Sequence, residues 1–213
     1  MNSLSINETV NMLIYVCDRI IENEPYLTDI DSKIGDGDHG IGMKRGFSHL
    51  KEGLQEHGSF ASTNELFKYS GLELLKTMGG ASGVLFGTMF IGGLKQIDIS
   101  QRLSTRFLSD FFELSLQSIM DRGKAQRGDK TMVDALAPAV VEMKKVAGKG
   151  LGIEKALSAA EKSAKQGVEE TKDMCAKFGR ARQYRDKSLG LQDAGATSVY
   201  LIFKSMSDWV AQN

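Results

Sequence analysis

Across 213 residues, Lys+Arg and Asp+Glu balance at 27 each, so no whole-chain field draws this protein to nucleic acid or to an anionic membrane, and any recognition of phosphate has to be local. With 41% hydrophobic and 25% charged residues the composition is that of an ordinary globule. No apolar run approaches the roughly 20 residues that span a bilayer and the N-terminus lacks the basic and apolar regions of a secretory signal, so a cytoplasmic location is expected.

In chain order, Val10, Leu13, Ile14, Cys17, Ile20 and Ile21 recur at helical spacing and predict a first helix with Cys17 as a small core residue. Cys17 and Cys175 lie far apart with no C-x-x-C spacing, which points neither to a disulfide framework nor to a zinc site. An acidic, glycine-flanked stretch follows at 31–40. Leu66, Tyr69, Leu72, Leu74 and Leu75 predict a further helix, with Ser62 or Thr63 and Glu65 as its N-terminal capping signal. Later helices are read at 84–96, 104–121, 130–147, 152–178 with a break near Gly167, and 195–211. Residues 198–203 have a strand-like composition, but Val199, Ile202, Phe203, Met206, Trp209 and Val210 carry a helical stripe straight through them. Strand alternation is absent, only Pro25 and Pro138 interrupt the pattern, and no linker divides the chain. The expectation is one all-α domain over 1–213, with about eight helices joined by short loops and packed antiparallel around one core.

The acidic stretch reads Asp31-Ser-Lys-Ile-Gly-Asp-Gly-Asp-His-Gly40. Three carboxylates this close repel one another unless a cation joins them, and Mg²⁺ is usually held by a few carboxylates together with water and substrate phosphates. Asp36 and Asp38 form an i, i+2 pair that points the same way in an extended loop, while Gly35 and Gly37 permit the sharp path that brings Asp31 round. A solvated acidic turn is the competing reading. A calcium loop of the EF-hand kind fares worse, because counting from Asp36 puts Phe47 where a Glu is required.

Four glycine-rich junctions sit where a loop hands over to an apolar helix: Asp38-His39-Gly40-Ile41-Gly42, Gly79-Gly80-Ala81-Ser82-Gly83, Gly128-Asp129-Lys130-Thr131 and Asp193-Ala194-Gly195-Ala196-Thr197-Ser198. Each has an ordinary explanation as a helix cap. Beside a carboxylate cluster they also read as one phosphate cage assembled from several helix starts, whose N–H groups are unpaired and carry partial positive charge. The Walker pattern is not met, since Asp129 intrudes before Lys130-Thr131 and no strand precedes. A basic stretch containing Lys177, Arg180, Arg182, Arg185 and Lys187 is either a solvated loop or a lid whose guanidinium groups meet a polyphosphate.

Taken together these motifs resemble the nucleotide-binding subunit of dihydroxyacetone kinases, the DhaL-type family. The resemblance is carried by Ile-Gly-Asp-Gly-Asp-His-Gly at 34–40, Gly-Gly-Ala-Ser-Gly at 79–83, Arg-Gly-Lys-Ala at 122–125, Gly-Asp-Lys-Thr-Met at 128–132, Gly-Arg-Ala at 179–181 and Gln-Asp-Ala-Gly-Ala-Thr-Ser at 192–198. It implies an antiparallel helical barrel with ADP or ATP held at one rim through Mg²⁺. It places metal ligands on Asp31, Asp36 and Asp38, nucleotide contacts on His39, Gly40, Ile41, Gly42, Ala81, Ser82, Gly123, Thr131, Met132, Arg180, Asp193, Ala194 and Gly195, and the catalytic charge on Arg180. Ala194 stands where relatives often have Pro, a departure that bears on the stiffness of that turn.

The resemblance further implies a split kinase, because no stretch remains for a substrate-binding domain. ADP would accept a phosphoryl group from a phosphohistidine-carrying phosphotransferase protein and pass it to dihydroxyacetone on a partner subunit, with neither nucleic acid nor membrane as partner and a homodimer allowed. Two alternatives stay open: a subunit that exchanges ADP for free ATP and serves a kinase for dihydroxyacetone or another small ketose, and a non-catalytic nucleotide sensor. A fatty-acid kinase would need further domains.

Overall fold

The computed structural model describes residues 2–213. Nine α-helices occur among the described residues: α1 (Ile6–Glu22), α2 (Glu24–Ile34), α3 (His39–Glu56), α4 (Thr63–Thr77), α5 (Gly80–Ile91), α6 (Thr105–Gly123), α7 (Met132–Gly148), α8 (Ile153–Glu170) and α9 (Ala194–Gln212). Local chemistry sets their starts. Ser5 and Glu8 form a reciprocal capping box on α1, Ser62 accepts from Glu65 N at α4, Ser104 from Phe107 N at α6, and Pro25 stands in the first turn of α2, where a missing N–H costs nothing.

Eight of the helices close a ring. α1 packs on α3, α3 on α4, and so on through α9, which returns to α1; α2 lies across one end against α3 and α9. The connections, short except for 92–104 and 171–193, reverse direction at each step, so α3, α5, α7 and α9 all begin at the same rim, where α1, α4, α6 and α8 end. The interior is filled by aromatic and aliphatic side chains. Phe67 and Phe111 (centroids 4.7 Å apart), Phe111 and Phe112 (5.2 Å) and Phe112 and Phe203 (5.1 Å) run in series from α4 through α6 to α9.

The all-α expectation holds, with local differences. Two three-residue strands, β1 (Ser3–Ser5) and β2 (Arg102–Ser104), pair antiparallel with Leu4 opposite Leu103. They are too short to show alternation, and they fasten the chain start to the beginning of α6. The helix expected at 84–96 starts at Gly80 and stops at Ile91, because Gly92 and Gly93 press their backbones against Ser118 and Phe111 of α6. Leu72, expected in the apolar stripe, is 41% exposed. The break expected near Gly167 is not there: α8 runs unbroken to Glu170, and Gly167 instead lets α8 touch the α7 backbone at Asp134 and Ala135. The acidic stretch is also less of a loop than expected. Asp31 belongs to the last turn of α2, and only 35–38 are irregular.

Candidate nucleotide and metal site

One carboxylate oxygen from each of Asp31, Asp36 and Asp38 lies within 4.8 Å of the others. The end of α2 presents Asp31, and the Gly35–Asp38 turn folds the other two beside it. Asp38 occupies the N-cap position of α3 yet makes no side-chain cap; the His39 N–H is taken by Asp31 Oδ2 at 3.2 Å. Asp38 therefore keeps its oxygens free toward its neighbours. Partial desolvation of this exposed residue first, then the charges of Asp36 and Asp31, push its carboxyl above the usual range, while Arg180 pulls the other way. The cluster is thus short of positive charge. Arg180 supplies some of it, with Nε 2.8 Å from Asp36 Oδ2. A small, oxygen-only donor set with unbalanced negative charge suits Mg²⁺, so these residues fit the metal that the resemblance implies.

The four glycine junctions converge at this rim but are not equivalent. α5 begins at Gly80 behind the N-cap Gly79, both at positive φ (60° and 73°), a path open to glycine and costly for other residues, and no side chain caps it. Ala81 and Ser82 lie in this uncapped first turn. By contrast α7 and α9 carry caps. Thr131 accepts from Val133 N (3.2 Å), Asp134 accepts from Thr131 N (2.8 Å) and Gly128 N (2.5 Å), and Asp193 Oδ2 accepts from Ala196 N (2.7 Å). Of α5, α7 and α9, the start whose amides are most available to an anion is therefore that of α5.

His39 is buried. Its Nε2 lies 2.8 Å from Ser198 Oγ and its Nδ1 3.4 Å from Ser82 Oγ, so the ring ties the starts of α3, α9 and α5. Burial lowers its pKa against the opposing charge of Asp31, which leaves the ring neutral near pH 7. Gly40 backs onto Thr28 and the Glu24 carbonyl of α2, Ile41 is 55% exposed on the first turn of α3, and Gly42 faces the end of α4 at Met78. Gly123 lies against Leu85 of α5 at the end of α6. Met132 and Ala194 are buried, and Gly195 packs between Asp193 and Met132. Arg180 sits across the rim on an exposed 3-10 segment, Arg180–Ser188, kinked at Arg185 (φ 46°). Tyr184 OH, on the same segment, donates to the Gly35 carbonyl at 3.3 Å.

The model of the DAK2 domain matches residues 33–208, most of the chain and all of this rim except the α2 residues before 33, Asp31 among them. The chain belongs to the DAK2 domain family. Among its DAK2 relatives, the PEP-dependent dihydroxyacetone kinase, ADP-binding subunit DhaL, of Escherichia coli (strain K12) is 37% identical over 205 residues, covering 96% of this chain and 97% of that protein. The PTS-dependent dihydroxyacetone kinase, ADP-binding subunit DhaL, of Lactococcus lactis is 33% identical over 208 residues, covering 98% and 100%. An L-erythrulose kinase of Pectobacterium atrosepticum is 34% identical over 191 residues, which are 89% of this chain and only 32% of that longer protein. Among solved structures, the dihydroxyacetone kinase from C. freundii in complex with AMP-PNP and Mg²⁺ superposes with a TM-score of 0.73 over 93% of this chain and 33% of its own, at 24% identity. At that identity the likeness speaks for the fold alone.

This DAK2 chain also holds rim residues that the sequence did not single out. Ser198 fixes the His39 ring, Asp134 takes up the Gly128 and Thr131 amides, and Lys130 points inward at 1% exposure rather than toward a phosphate. Ser198 closes a quoted motif, so its hydroxyl one turn into a helix was the available signal. For Lys130 there was none, since a lysine beside a glycine loop reads as solvated.

Proposed function

We infer that this chain is the ADP-binding subunit of a split dihydroxyacetone kinase, receiving a phosphoryl group from the phosphohistidine of a phosphoenolpyruvate-dependent phosphotransferase protein and delivering it, by way of ADP/ATP, to dihydroxyacetone held by a partner subunit. The observation that carries this reading is the Asp31/Asp36/Asp38 cluster beside the uncapped start of α5, with Arg180 reaching over it. Relatives of the same length named as such subunits support it, because this chain covers them almost end to end.

Asp31, Asp36 and Asp38 are the residues that would hold Mg²⁺, which when bound supplies charge neutralisation for a diphosphate tail. The α5 amides and the Ser82 hydroxyl can donate to phosphate oxygens, and Ile41 offers exposed apolar surface on the first turn of α3. Arg180, with its side chain 70% exposed, can shift its guanidinium from Asp36 to a phosphoryl oxygen and offset the charge that builds during transfer. Phosphoryl transfer asks mainly for positioning, and no general base is required on this chain. His39, buried with its ring nitrogens facing Ser82 and Ser198, leaves neither nitrogen open to act as one.

The test is mass spectrometry of gently purified protein for co-purified nucleotide and magnesium, followed by reconstitution with a dihydroxyacetone-binding subunit and a phosphohistidine-bearing donor. Retention of ADP through long dialysis and formation of dihydroxyacetone phosphate are expected. Rapid replacement of ADP by free ATP would favour the exchanging subunit of an ATP-dependent ketose kinase, a reading that draws on the similarity to L-erythrulose kinase. Nucleotide binding without any phosphorylated ketose would favour a sensor.

A further inference from the structure

Lys130 stands directly before the Thr131 cap, beside a glycine loop, yet its three ammonium hydrogens are spent on the protein interior. Nζ donates to the carbonyls of Thr171 (2.6 Å), Ser188 (2.8 Å) and Leu191 (2.5 Å), a full complement for an ammonium group. Its backbone adopts a left-handed φ of 59°, unfavourable for a side chain of this kind, which turns the stem into the protein. The three acceptors are not one helix end. They lie where the 171–191 excursion leaves α8, where its 3-10 segment stops, and where it approaches α9.

The preceding residue grips the same excursion from the other side. Asp129, also buried, accepts from Lys177 Nζ at 2.7 Å through Oδ1, while its backbone carbonyl accepts from Lys177 N at 3.2 Å. Its Oδ2 is anchored by Gln126 N at 2.7 Å. The two limbs are joined to each other by Ala176 N donating to Ser188 Oγ (3.1 Å) and Gly190 N to Lys172 O (2.8 Å). Beyond this base the apolar anchorage is Phe178, half-buried against the core; residues 182–187 are exposed, and the tip meets the body through Arg180 with Asp36 and Tyr184 with Gly35. The base, together with Phe178, therefore limits where the guanidinium can go.

We propose that Asp129 and Lys130 form a clamp on both limbs of the 171–191 segment and are positioning residues for Arg180, an inference that rests on the reading of Arg180 as the group offsetting charge in transfer. Without the clamp the tip wanders, and misplacement by about 1 Å is enough to cost on the order of 100-fold in rate.

Lys130→Met removes the three donors and keeps the stem. Lys177→Ala opens the outer grip at a side chain 64% exposed, where the fold is little affected. Hydrogen exchange with mass detection on the ADP-loaded protein is expected to show faster exchange over 175–190 in either variant and no change across α3 and α4. In the reconstituted transfer assay kcat should fall by about tenfold or more in Lys130→Met, with the ADP dissociation constant moving less than about threefold. Each clamp variant combined with Arg180→Ala should be no slower than Arg180→Ala alone, since residues acting through one group are non-additive. Unchanged exchange over 175–190, or losses that multiply in the double variants, overturns the clamp; if Lys130→Met does not fold, Lys177→Ala decides on the same terms. A wild type that transfers no phosphoryl group refutes the functional reading instead, and the exchange measurement still judges the clamp.

Discussion

Asp38 is a residue whose ordinary use has been withheld. An Asp at an N-cap normally accepts from the first turn, a bond worth about 1 kcal/mol, but Asp31 performs that service for α3 and leaves Asp38, exposed at the rim, partly desolvated beside two like-charged neighbours. At an effective dielectric near 20, a unit charge about 4 Å from another is worth roughly 4 kcal/mol, so even a third of that surviving screening leaves about a tenfold effect. Asp36→Asn is accordingly expected to weaken Mg-nucleotide binding by about tenfold or more with a small change in melting temperature, measured by calorimetric titration and circular dichroism. Unchanged affinity would remove Asp36 from the metal set. Asp193 is perturbed differently. Burial, offset in part by the Ala196 amide, pushes its carboxyl up to about 7. Between about pH 4 and pH 7 the unfolded chain releases this proton while the folded one keeps it, so this residue's contribution to stability declines as pH rises through that window and is level above it. Asp193→Asn retains a capping oxygen and should flatten that slope in a series of melting curves.

At the scale of single elements, the contact between α7 and α8 shows why a glycine can be misread. Pro138 lacks an N–H, so the Asp134 carbonyl one turn earlier has no helical donor, and α8 brings Gly167 up against it. A Cβ at Gly167 would lie 2.9 Å from Ala135 Cα and closer still to the Asp134 carbonyl oxygen. Gly167→Ala should gain about 1 kcal/mol in helix propensity and lose more than that, roughly 1–3 kcal/mol, in overpacking against backbone that has no rotamer to yield. The expected net result is a lower urea midpoint with unchanged slope. Propensity alone predicts a break in the helix there; packing explains why an unbroken helix needs that glycine.

Over the whole molecule the consequence of ring closure is cooperativity. α9 is the last helix in the chain and touches α1, α7 and α8, with Phe203 fully buried edge-on to Phe112 of α6. No helix of the ring can leave without opening the core on both sides. Trp209 fluorescence and far-ultraviolet circular dichroism should therefore report coincident urea transitions, and Phe203→Ala should lower stability by about 3–5 kcal/mol in both. Non-coincident curves would mean that α9 detaches by itself. No helix among the described residues is long and apolar enough to cross a membrane.

Much of this was legible locally. Apolar spacing and capping residues gave away the helices, and three carboxylates in eight residues marked the candidate site, because those effects act over a turn or two of chain. The strands Ser3–Ser5 and Arg102–Ser104 escaped because three residues carry no period. What sequence alone determined is thus the all-helical class, the carboxylate cluster and the glycine starts, all properties of neighbouring residues. Only the tertiary structure decided that α5 presents its amides while α7 and α9 spend theirs on side chains, that His39 is locked between Ser82 and Ser198, and that Lys130 faces inward. The physical reason is that a buried polar group must find its partners wherever the closed ring brings them, and those of Lys130 come from 171, 188 and 191, 41 to 61 residues along the chain.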